Sequence, residues 1–107
     1  NLPEETVTPS EDARIWLGME ITTATRQLAR ATGNDFVEGV YILRVYPNSA
    51  ADLASIVRGS VIIQVGDRPV QSVDELQALV EKMGRVSRVS LILLEPSGSL
   101  TRKEIRL

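Results

Sequence analysis

From Ile15 onward, apolar side chains recur at every second residue: Ile15, Leu17, Met19 and Ile21 on one face, Trp16, Gly18, Glu20 and Thr22 on the other. A period of two is that of a half-buried strand, and the pattern predicts one strand running through 15–22. "TATRQLARATG" follows, with Thr available as a cap and Gly33 as a stop, which predicts one to two turns of helix. "GVYILRVYP" (39–47) is β-branched and aromatic up to Pro47, a strand apolar on both faces. "NSAADLASIVRG" offers a Ser cap, small helix formers and Gly59 as terminator, so a short helix is expected there.

"VIIQV" (61–65) reads as a central strand, Gly66-Asp67 as its turn, and "RPV" as a brief return strand. Pro69 has no N–H to donate and demands an edge position. The clearest helix spans Val73 to Met83, with Ser72 as cap, Asp74 and Glu75 in the first turn and Gly84 just past the end. Val73, Leu76, Leu79, Val80 and Met83 form its apolar stripe. "VSLILLE" (89–95) is a further buried strand, "PSGS" a turn and "LTRKEIRL" a more exposed closing strand. Residues 1–13, acidic and with Pro3 and Pro9, show no periodicity and read as a tail or linker.

One long and one or two short helices among about five to six short strands imply an α+β domain over 14–107, a small, partly open barrel or sandwich capped by helices. A chain of 107 residues suits one such domain. With 12 basic against 14 acidic residues and a net charge of −2, nothing in the charge calls for nucleic acid or an anionic membrane. No apolar run approaches the length of a membrane span. The chain begins at Asn1, and the expectation is a piece of a longer polypeptide.

The chain contains neither Cys nor His. A Ser-His-Asp triad, a Cys-His pair and a thiolate or imidazole zinc site are therefore excluded within it. The acidic pairs Glu4-Glu5, Glu11-Asp12 and Asp74-Glu75 lack the spacing of a calcium loop, and no metal or cofactor is expected. Ser49, Ser55, Ser60 and Ser72 have no base nearby in sequence and read as caps and turns; Arg102, Lys103 and Arg106 read as edge protection. Arg14 reads as solvated linker.

Four features in order carry a resemblance: "WLGM" before a strand, "VYPNSAADLASIVRGSVIIQVGDRPV", "SVDELQALVEKMG", and two closing strands. Together they resemble a PDZ domain of the bacterial type attached to HtrA-like periplasmic serine proteases, across roughly residues 14–107. The family usually has Gly where Ser55 stands, Asp where Ser60 stands, and Asn-Gly where Gly66-Asp67 stands, which puts local loop geometry in question but not the fold. The resemblance also implies a circularly permuted strand order, with 100–107 in the place of the first strand of animal PDZ domains.

The same resemblance assigns a site. Trp16, Leu17, Gly18 and Met19 would be the loop that binds a peptide carboxylate, through the N–H groups of Leu17 to Met19. Such a loop needs a glycine whose missing Cβ lets another chain approach. Glu20, Ile21 and Thr22 would be the edge that pairs with the ligand by strand addition. Val73, Gln77 and Val80 would form the facing wall, although Val73 reads equally as core. An apolar Val73 implies a ligand apolar at its last and third-from-last residues. The implied function is non-catalytic: capture of C-terminal or unfolded polypeptide segments for an HtrA-like protease in the periplasm or cell envelope, the protease domain itself being a possible partner. Two other readings stand beside it, a PDZ-like assembly domain of a secretion or organelle-building protein and the regulatory domain of an intramembrane or processing protease.

Overall fold

The computed structural model describes residues 13–32, 37–84 and 88–106. Seven strands and three helices alternate along them: β1 (Arg14–Trp16), β2 (Met19–Thr23), α1 (Arg26–Thr32), β3 (Val40–Val45), α2 (Ala50–Leu53), β4 (Val61–Val65), β5 (Arg68–Pro69), α3 (Val73–Met83), β6 (Arg88–Leu94) and β7 (Leu100–Arg106). The strands form one antiparallel sheet in the order β1-β2-β3-β4-β6-β7, with β5 beside β4. The last strand lies along β6 from Arg88–Arg106 to Leu94–Leu100, the place that the permuted order requires. Pro69 sits on the exposed two-residue β5, off the main path of the sheet, where its missing donor costs nothing.

The core is drawn from every major element: Met19 and Ile21 of β2, Val40 and Ile42 of β3, Ile62 and Val65 of β4, Val73 and Leu76 of α3, Leu91 and Leu93 of β6, and Ile105 of β7. Each such side chain contributes about 1.5–3 kcal/mol relative to exposure. A smaller cluster, Ala24, Leu28 and Tyr41, seats α1 on β3. Thr25 Oγ1 accepts from the Leu28 N–H at 3.1 Å and starts that helix; the Gly33 expected to end it lies outside the described residues. So do Glu4-Glu5 and Glu11-Asp12.

α3 has the predicted limits because both ends are capped. Ser72 accepts from the Glu75 N–H at 3.2 Å, Glu75 accepts in return from the Gln71 N–H at 2.8 Å, and Gly84 closes the helix at φ 67°. α2 is shorter than expected. It ends before Gly59, because Ser55 turns left-handed at φ 63° and the N–H groups of Ser55 and Ile56 return to the carbonyls of Asp52 and Ala51. That is a Schellman ending with serine at the position glycine usually holds.

The single strand predicted over 15–22 is two. The chain reverses at Leu17 (φ 56°) and Gly18 (φ 82°), and Trp16 lies opposite Met19. Two positive φ values define the type I′ hairpin turn. A leucine in that conformation costs about 1–2 kcal/mol. Two contacts hold it: the Leu17 carbonyl accepts from the Ala51 N–H at 3.1 Å, and the Gly18 carbonyl from the Tyr46 N–H at 2.9 Å. Arg14 is accordingly part of β1 rather than solvated linker.

Candidate functional site

β2 and α3 lie side by side, joined where the Val73 N–H donates to Thr23 Oγ1 at 3.1 Å. Between them, beneath β1, is a cleft of about 270 Å3. Ile21 forms its sheet wall, and Val73, Leu76, Gln77, Val80 and Glu81 its helix wall. Arg14, Ile15 and Trp16 close the third side. The lining is mostly apolar, with Arg14, Gln77 and Glu81 supplying the polar groups, the composition of a pocket for side chains rather than for a charged group.

The structure brings Ile21 together with Val73, Gln77 and Val80 across this cleft, and it places Val73 in both of its expected roles. Val73 is fully buried in the core and also lines the cleft. Thr22 is buried and Glu20 half-buried; Glu20 Oε1 lies 3.4 Å from Arg44 Nε on β3. Leu76, Ile15 and Glu81, none of them among the expected groove residues, also face the cleft. Helical spacing places Leu76 and Val80 on the same side of α3 as Val73. No comparable signal marks Ile15.

The residues expected to form the carboxylate loop are closed into a hairpin in this structure. Trp16, Leu17, Gly18 and Met19 are not an open carboxylate cradle here: Trp16 belongs to β1, Leu17 and Gly18 are the hairpin turn, and Met19 is a fully buried residue of β2. The chain that approaches Gly18 is its own. A Cβ built on Gly18 would overlap Ser49 Cβ and stand 2.5 Å from Ser49 Oγ. Ser49 is fixed there as the cap of α2, accepting from the Asp52 N–H at 3.1 Å and donating to the Tyr46 carbonyl at 2.7 Å. The β2 edge expected to be free is likewise paired to β1, in the register Trp16–Met19, Ile15–Glu20, Arg14–Ile21.

Among the four serines, Ser49 and Ser72 cap helices, as read from the sequence. Ser60 is buried at 1% exposure, and its hydroxyl has no hydrogen-bond partner among the described residues. No group of acidic residues among those described could hold a metal ion.

A short antiparallel sheet with its last strand in the first strand's place, and a helix set across an apolar groove from β2, together define a peptide-groove domain. The PDZ domain family matches residues 41–93, and the chain belongs to that family. The periplasmic serine endoprotease DegP of Salmonella typhimurium is 34% identical over 101 residues, 94% of this chain and 21% of DegP. The magnetosome formation protease MamE of Paramagnetospirillum magneticum is 33% identical over 78 residues, 71% of this chain and 11% of MamE. Among solved structures, the HtrA3 PDZ domain bound to a phage-derived ligand (FGRWV) superposes with a TM-score of 0.70 at 25% identity, covering 87% of this chain and 84% of that one. The chain thus spans about one fifth of DegP's length.

Proposed function

We propose that this domain binds extended polypeptide segments, free C-termini among them, by strand addition between β2 and α3. It would serve as the substrate-recognition or regulatory domain of an HtrA-like serine protease working in the periplasm. One observation carries the reading: the β2 edge beside α3 already holds an antiparallel strand over an apolar cleft. An edge that accepts β1 in this geometry accepts a ligand strand in the same geometry.

In the ligand-bound form the N–H groups of Leu17, Gly18 and Met19 receive the carboxylate, and the last ligand side chain, apolar, enters the cleft between Ile21 and Val80. Arg14, the residue of β1 opposite Ile21, lies 3.9 Å from Asp74 at the start of α3. A ligand in the same register places its third-from-last residue there, so a basic side chain suits that position better than the apolar one implied by Val73 alone. The peptide held by HtrA3 has Arg at that position and Val at its end.

Calorimetric titration with FGRWV as free acid and as C-terminal amide tests the reading. The free acid is expected to bind with a Kd of roughly 1 μM to 1 mM. Amidation is expected to weaken binding by about 1–3 kcal/mol, through loss of charge-assisted bonds to backbone N–H. Equal binding of the two forms would overturn carboxylate capture.

A further inference from the structure

We infer that β1 is a tethered resident ligand, so that the groove is closed by its own chain and a peptide binds only by displacing Arg14–Trp16. This rests on the peptide-groove reading above and concerns the regulation of that site. β1 is antiparallel to β2 and ends at the loop, the same direction and position that a captured C-terminus takes. Its side chains wall the cleft that a ligand side chain would enter. The Trp16–Met19 pair also closes the turn, which commits the Met19 N–H to the hairpin. Strand addition and formation of the carboxylate cradle are therefore both blocked by one element, and both become possible when it leaves.

The same element is built to leave. β1 is three residues long, Ile15 is 66% exposed, and the Arg14–Asp74 ion pair joins side chains that are 49% and 83% exposed. An ion pair so exposed holds weakly. Leu17 is left-handed where Asn, Asp or Gly is the usual choice, so opening the hairpin relieves an unfavourable conformation. The turn itself stays anchored to β3 and α2 through the Leu17 and Gly18 carbonyls. Release of β1 therefore need not dismantle the loop that receives the ligand. For a site whose competent state is a minor one, apparent affinity falls in proportion to the open fraction.

A reversible lock separates this inference from the function it regulates. Ile15 and Glu20 face each other, and counted from the closing pair Trp16–Met19 they form a pair without mutual backbone hydrogen bonds. Across such a pair the Cα atoms are about 4.5 Å apart, within disulfide range. The chain has no cysteine of its own, so Ile15→Cys with Glu20→Cys makes a single defined disulfide in the full chain. Trp16, the only tryptophan, reports on β1 by its fluorescence, and anisotropy of fluorescein-labelled FGRWV reports binding. Arg14→Pro, which removes the Asp74 ion pair and a ladder donor, serves as the released form.

The oxidised pair is expected to bind labelled peptide at least roughly tenfold more weakly than the same protein reduced. Arg14→Pro is expected to bind more tightly than the unaltered chain, with Trp16 emission shifted to the red before peptide is added. Equal affinity of oxidised and reduced protein would overturn the inference while leaving the peptide groove intact. Binding by neither the reduced pair nor Arg14→Pro would overturn the groove reading, and the inference with it. Binding by Arg14→Pro alone would support both.

Discussion

Ser49 occupies the space beside Gly18 that a Cβ at position 18 would need. The two residues are 31 apart in sequence, yet the cap of α2 and the turn between β1 and β2 are built against each other. Gly18→Val is therefore a folding mutation before it is a binding mutation. A left-handed φ of 82° and an overlap with a fixed neighbour together are expected to cost about 2–4 kcal/mol, measured by denaturant unfolding. Ser49→Gly in the same chain removes the overlap but not the φ penalty. A double-mutant cycle should show a favourable coupling of roughly 1 kcal/mol or more, and strict additivity would mean the two residues do not meet.

Ser55→Gly should stabilise the domain by about 1 kcal/mol. Ser55 ends α2 in the left-handed region, where a Cβ is unfavourable and glycine is not. The melting temperature should rise, with peptide affinity unchanged, since Ser55 does not line the groove.

Ser60→Ala should also stabilise, here by removing a buried hydroxyl that finds no partner among the described residues. The gain expected is about 1 kcal/mol. A loss of stability would show that the hydroxyl has a partner in solution.

Tyr41 gives the domain an alkaline limit. Burial raises its phenol pKa above the ordinary 10.0, partly offset by the positive charge of Arg58. The unfolded chain therefore loses this proton at lower pH than the folded one does. Stability from the neutral phenol is complete below pH 10.0 and falls as pH rises from there through the folded pKa. Unfolding free energy followed across that range should decline less steeply for Tyr41→Phe than for the unaltered protein.

Elements whose limits are set by local chemistry were legible in the sequence. α3 is the example: Ser72, Glu75 and Gly84 act within a few residues of one another, and its apolar stripe repeats at the helical period. Val73, Leu76 and Val80 of the cleft lie on that stripe, and Ile21 was legible as an inward residue of an alternating strand. The break at Leu17-Gly18 was not legible. The alternation of apolar residues runs through it unbroken, the turn lacks the Asn or Asp that usually announces it, and the Ala51 and Tyr46 amides that hold it come from distant elements. The early end of α2 was hidden similarly. Gly59 is the visible stop, whereas the helix ends at a serine in the left-handed region followed by the buried Ile56, whose N–H returns to the Ala51 carbonyl.

Amide chemical shifts of the labelled full chain during titration with free-acid FGRWV locate the binding site most directly. The largest changes are expected in β1 and its turn, along Met19–Thr23, and on the Val73, Gln77 and Val80 face of α3. Arg14–Trp16 should lose its hydrogen-exchange protection as the peptide takes its place on β2. Shifts confined to β7 or to the outer face of α2, with β1 still protected at saturation, would contradict strand addition between β2 and α3.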